Sequence, residues 1–207
     1  MKIFITLLTL YLSILNLEAE VKLPNETTLK KQIGHMLIVG FKASKVSSNS
    51  KIIKDINKYN LGGVILFDVF YNDRNKTKNI SSPQQLQELT SKLKFYAKNP
   101  IFISVDQEGG KVARLKEIYG FKAFASARDI SKLKPSKAKE IYNEEAKMLA
   151  NNGINCNFAP VVDLALTSKN KVIYSLDRAY SKDVKKVAKY AEIYMSALHN
   201  YDILGVL

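Results

Sequence analysis

Four short, largely apolar runs, residues 36–41, 62–67, 101–105 and 154–162, alternate along this chain with stretches of helical spacing. None shows the apolar/polar alternation of a sheet with one wet face. Both faces of these strands must therefore be covered, which is the habit of parallel sheets flanked by helices. The intervening segments fit that arrangement. Ser50 precedes a helix bearing Ile52, Ile53, Ile56 and Tyr59. Ser82, Pro83 and Gln85 predict a helix start with a capping box, followed by Leu86, Leu89, Leu93 and Tyr96 at helical spacing. A third helix is expected over 137–151, with Ala138, Ile141, Met148 and Leu149 inward. A fourth is expected after Ser181 as its cap, and a fifth strand starts at 203. The fold class is α/β, as a (β/α)8 barrel or a doubly wound open sheet. Both architectures place their sites beyond the C-terminal ends of strands, where Asp68, Asp106 and Asp163 stand. No glycine-rich phosphate loop follows the first strand, which argues against a nucleotide-binding fold.

The ends of the chain add two expectations. Residues 1–19 combine a short positive start, an apolar run and a small residue, Ala19, at a cleavage point, which reads as a secretory signal peptide and a periplasmic or secreted protein. The apolar run is shorter than the about 20 residues a membrane-spanning helix needs. At the other end, a complete (β/α)8 barrel takes about 250 residues, and this chain of 207 stops inside a predicted strand. An incomplete barrel over residues 20–207, holding about the first five strands, is the expectation, with exposed strand edges and a tendency to aggregate.

Composition excludes more than it selects. A net charge of +13 admits nucleic acid, anionic lipid or an acidic polymer as partners. Yet Arg74, Arg114, Arg128 and Arg178 are the only arginines, and the lysines are scattered over helix faces. Base readers and phosphate clamps favour the planar arginine fork, so a solvated lysine-rich surface is expected and no nucleic-acid partner. Cys156 is the single cysteine, which excludes an internal disulfide, and its apolar strand makes it an inert core residue. His35, near the first strand's N-terminal end, and His199, at a helix end, stand away from the strand C-termini and are not expected to be catalytic.

The most specific segment is Asp106-Gln107-Glu108-Gly109-Gly110, followed by Val112-Ala113-Arg114-Leu115. A carboxylate at a strand end can accept two hydrogen bonds from neighbouring sugar hydroxyls and fix the ring. Arg114 and Arg178 can donate to sugar oxygens or an acid group, and the glycines let the backbone turn tightly beside a ligand. Plainer roles stand beside these. Asp106 can cap a helix, Arg114 can pair with Glu108 or Glu117, and Arg178 with Asp163 or Asp177. Glu108 supports the loop, and Asp163 orients an arginine.

Taken in order, IGHMLIVGF at 33–41, LGGVILF at 61–67, FISVDQEGGKVARL at 102–115, NFAPVVD at 157–163 and LDRAYS at 176–181 resemble the N-terminal barrel domain of glycoside hydrolase family 3. The DQEGG form resembles its β-N-acetylhexosaminidase branch. The resemblance covers about residues 28–207 and selects the barrel. It implies removal of terminal non-reducing β-N-acetylglucosamine from peptidoglycan-type glycans by a retaining route, with no metal or cofactor. It implies Asp106, Arg114 and Arg178 as substrate-binding residues, with Glu108 and Asp163 in support. It places the nucleophilic aspartate and a histidine acid/base later than Leu207, so the chain alone is expected to lack catalysis. Lys111, where arginine is common, and Ala125, where proline is common, are small departures. The alternatives are a non-catalytic sugar- or wall-binding protein and a basic surface binder.

Overall fold

A computed structural model describes residues 24–207, so the signal-peptide expectation for residues 1–19 lies outside the described residues. Residues Lys31–Leu207 form a compact unit, which carries the fold.

The elements run α1 (Glu26–His35), β1 (Ile38–Gly40), α2 (Lys51–Tyr59), β2 (Gly63–Ile65), α3 (Pro83–Tyr96), β3 (Phe102–Val105), a short 3-10 turn (Glu117–Tyr119), α4 (Ala127–Ile130), α5 (Pro135–Asn151), β4 (Cys156–Asn157), α6 (Val184–His199) and β5 (Leu204–Gly205). The five strands form one sheet in sequence order, every pair parallel. Sequential order without reversal distinguishes a barrel arc from a doubly wound sheet, in which strand order reverses part-way. The α/β barrel expectation therefore holds, with five strands.

Register fixes what each face meets. Val39, Val64 and Ile103 align across β1–β3, and Val64, Ile103 and Val105 are wholly buried with Leu86, Leu89 and Leu93 of α3 in the core. On the opposite, luminal face Ile38, Gly63 and Phe102 align, and Phe102 remains 41% exposed. α5 and α6 pack side by side, with the Tyr142 and Tyr194 rings stacked 4.1 Å apart.

Several local expectations change in detail. The fourth strand is far shorter than 154–162: its ladder runs through Phe158 N–H to Val105 O at 2.9 Å, and Pro160 then offers no donor. Ser82 Oγ caps α3 by accepting from Gln85 N–H, but the Gln85 carbonyl accepts from Ser81 N–H rather than from Ser82. Asp183, not Ser181, caps α6, because its carboxylate accepts from Lys186 N–H at 2.8 Å. His35 closes α1 instead of opening β1. Among the described residues no helix is long and apolar enough to cross a membrane.

Candidate functional site

Strand β3 ends at Val105, and the next residues form the site. Asp106 and Arg114 pair at 2.8 Å, each side chain three-quarters covered. Glu108, which is buried, receives both Arg178 Nε and Arg178 Nη2 at 2.8 Å. That bidentate bond is the main reason the Arg178 guanidinium is held above its ordinary range, against its partial burial, with further help from the charges of Glu108, Asp163 and Asp106. The two acids of the motif thus divide two arginines between them, and neither arginine takes the partners weighed from sequence. Asp177 instead pairs with Lys111 at 3.0 Å and with Arg128. Asp163 is exposed and acts on Arg178 through its charge without an ion pair.

Glycines shape the turn between the acids and the arginine. Gly109 has φ +80°, and a side chain there would drive its Cβ to 2.3 Å from Ala125 O. Gly110 has φ +57° and passes so close to Ser126 that a Cβ would lie 2.7 Å from that residue's own. Positive φ and close approach both exclude larger residues here. Gly110 N–H donates to Phe124 O at 2.8 Å, which holds the loop down.

Gln107 is the residue the sequence reading passed over. It is fully buried, and its side-chain carbonyl accepts from Arg114 N–H at 3.0 Å and Leu115 N–H at 3.1 Å. Its amide donates to Glu145 on α5 at 3.1 Å. Its backbone is clasped by Asn157 of β4: Gln107 N–H donates to Asn157 Oδ1 at 2.9 Å, and Asn157 Nδ2 donates to Gln107 O at 2.8 Å. The Tyr194 hydroxyl also donates to Gln107 O at 2.9 Å. Every buried polar group of this residue is met, as burial demands. The available signal was a carboxamide inside the DQEGG run and a second inside NFAPVVD.

Glu145 was not foreseen either. It is completely buried on the inner face of α5, and burial pushes its carboxyl up to about 8, against the hydrogen-bonding groups of Gln107 and Tyr194. Its Oε2 has no partner. Cys156 is buried as expected, and its thiol is pushed up to about 11.

Both side chains of the Asp106–Arg114 pair keep about a quarter of their surface exposed. Arg114 Nε is buried without a partner, whereas Asp106 is engaged through Oδ2 alone. The free carboxylate oxygen of a partly exposed side chain suits a sugar hydroxyl, which can donate to it. A cleft of about 680 Å3 lies elsewhere, between β1 and α2, lined by Val39, Phe41, Ile52, Tyr59 and Leu61. It is an apolar gap at the sheet edge, of the kind a further strand and helix fill in a closed barrel.

The model of the glycosyl hydrolase family 3 N-terminal domain matches residues 28–207. The chain belongs to this family. A beta-hexosaminidase of Xylella fastidiosa is 32% identical over 171 residues, 79% of this family 3 chain and 46% of that protein. A beta-hexosaminidase of Xanthomonas campestris is 33% identical over 172 residues, with the same shares. Among solved structures, a family 3 beta-N-acetylglucosaminidase from a Paenibacillus species superposes with a TM-score of 0.75 and 26% identity, over 86% of this chain and 32% of its own. The family 3 chain spans about half the length of the curated relatives it matches.

Proposed function

We propose that the Asp106–Arg114 pair binds a terminal non-reducing β-N-acetylglucosamine, and that the whole protein is a β-N-acetylhexosaminidase acting on peptidoglycan-type glycans. The observation that carries this is the partly exposed Asp106–Arg114 pair just beyond β3, with one Asp106 oxygen engaged by no protein group. The names of the relatives supply the sugar. Arg178, held by Glu108 through Nε and Nη2, is the third binding residue of this reading, and the charges of Asp163 and Asp106 act on it.

A retaining glycosidase needs a nucleophilic carboxylate and an acid/base about 5 Å apart. Asp106 and Glu108 are each committed to an arginine, which leaves neither free to serve as acid or nucleophile. The 207-residue chain therefore binds the sugar without cleaving it, and the retaining chemistry belongs to later residues of a longer protein. The apolar stretch within residues 1–19 supports export to the periplasm or beyond.

Titration of the chain with N-acetylglucosamine tests the reading. Saturable binding that Asp106→Ala abolishes, with no release of nitrophenol from nitrophenyl N-acetyl-β-glucosaminide, is expected. Turnover by the pure chain that Asp106→Ala removes would overturn the division between binding and catalysis. Binding that collapses with salt, unaffected by Asp106→Ala, would favour a basic surface binder instead.

A further inference from the structure

Residues 158–183 carry Arg178 from β4 to α6 without a helix or strand. A connection of that length is uncommon in a compact domain unless it serves a site. No ladder fixes where Arg178 falls along it, so its place must come from side chains.

Two neighbouring residues of this loop meet one turn beyond β3. Arg178 donates to Glu108 through Nε and Nη2, each at 2.8 Å. Asp177 pairs with Lys111 at 3.0 Å, and Lys111 Nζ also donates to Ser175 O at 2.8 Å. The turn that bears Glu108 and Lys111 is itself closed, because Glu108 N–H donates to Val112 O at 2.9 Å. The loop thus offers an acid and then a cation, and the turn answers with a cation and an acid. Glu108 alone would leave the loop free to swing about that one carboxylate. A second contact of opposite sign, one residue away, fixes direction as well as position.

A third contact comes from α4. Arg128 N–H donates to Asp177 O at 3.1 Å, and the Arg128 guanidinium pairs with the Asp177 carboxylate. The same guanidinium donates to Tyr174 O and lies 4.3 Å from the Tyr174 ring centre, where the ring face favours a cation. Lys111 and Arg128 reach one carboxylate because Gly110 packs against Ser126, the N-cap of α4. Asp177 itself sits at φ +60°. Residues with a side chain seldom adopt that conformation, and it persists where the surroundings over-determine it.

The cations on Asp177 are too open to water to matter much to the fold. The Lys111 side chain is 57% exposed, and such ion pairs contribute little to stability. What they govern is the residue that follows Asp177. Among the described residues Arg178 Nη1 makes one long hydrogen bond, to Val172 O at 3.5 Å, and keeps donors to spare.

We infer that Asp177 is a positioning residue for sugar binding: its carboxylate bridges Lys111 and Arg128 and thereby locks the loop so that Arg178 holds one orientation against Glu108. This deepens the proposed function and rests on the reading of Arg178 as a sugar-binding residue. Asp177 acts through Arg178 and touches no sugar itself.

Titration of the full chain with N-acetylglucosamine tests this, beside thermal denaturation and amide hydrogen exchange read by NMR. Asp177→Asn keeps the size of the side chain and tolerates positive φ, so it removes the charge alone. It is expected to weaken sugar binding about tenfold, the scale of one charge-assisted hydrogen bond. It is also expected to speed exchange of the Arg178 amide, which donates to Ile173 O, and to leave the melting temperature nearly unchanged. Lys111→Gln should cause part of that loss, and Lys111→Arg should keep the original affinity. The two changes Lys111→Gln and Asp177→Asn together should lose no more than Asp177→Asn alone. Unchanged affinity in Asp177→Asn, or losses that add in the double variant, would overturn the positioning role and leave the sugar pocket standing. A melting temperature that falls in step with affinity would make Asp177 a stabilising residue and overturn it likewise. If the unaltered chain binds no sugar, the sugar-binding reading falls, and the Arg178 amide decides the lock by itself: faster exchange in Asp177→Asn upholds it, and unchanged exchange overturns it.

Discussion

The side-chain carbonyl of Gln107 accepts the backbone N–H of Arg114 at 3.0 Å, closing the loop that carries Asp106 and Glu108 against the arginine that pairs with Asp106. The same oxygen takes Leu115 N–H at 3.1 Å. One buried carboxamide therefore sets the distance between the strand end and the arginine. The site's shape depends on Gln107, although no ligand is expected to touch it.

Replacing that carboxamide should show this directly. Gln107→Ala leaves the Arg114 and Leu115 amides without their acceptor, and Glu145 without its donor. Orphaned buried groups cost about 1–3 kcal/mol each, so a loss of at least about 2 kcal/mol in urea denaturation is expected, together with loss of N-acetylglucosamine binding. Retained binding at unchanged affinity would contradict the keystone role.

The Glu108–Arg178 pair should behave as a buried ion pair. Arg178→Ala strands a carboxylate that is 7% exposed, at a cost of about 3 kcal/mol. Adding Glu108→Gln should return part of it. A double-mutant cycle on the denaturation free energies reads the coupling; additivity of the two losses would show that the pair contributes no interaction energy.

Stability should fall with rising pH because of Glu145. Burial raises its carboxyl from 4.5 to about 8 in the folded chain. Between those values the folded state holds a proton that the unfolded state has released. The stabilisation is complete below about pH 4.5 and is lost as pH rises through about 8, with a limiting slope of about 1.4 kcal/mol per pH unit. The titratable groups facing it are phenols, Tyr142 on its own helix, Tyr180 and Tyr194, all held above their ordinary range chiefly by burial. They stay neutral across this window. Glu145→Gln keeps the acceptor for Gln107 and should flatten the profile. An unaltered pH profile in that variant would assign the dependence elsewhere.

Gly109→Ala should damage the site through the backbone. The Cβ would meet Ala125 O at 2.3 Å, at φ +80°. A destabilisation of about 2 kcal/mol or more is expected from strain and overlap together, with sugar binding lost before the fold. Thermal denaturation and titration of the same sample separate the two effects.

The sequence by itself determined the architecture. Apolar strand runs without alternation demand covered faces, and helical spacing between them demands crossovers, so the parallel β/α order followed from periodicity before any contact was known. It also placed Asp106 directly beyond the third strand, which is where the structure has it. The tertiary structure decided the pairing. Arg178 lies 70 positions beyond Glu108 and several acids were nearer in sequence, so spacing could not select its partner. Nothing in the sequence singles out Glu145, and only the packing of α5 against Gln107 and Tyr194 shows that it is turned inward. Helical periodicity records which residues share a face, whereas the choice among acids for an arginine is made by distances of a few ångströms between segments far apart in the chain.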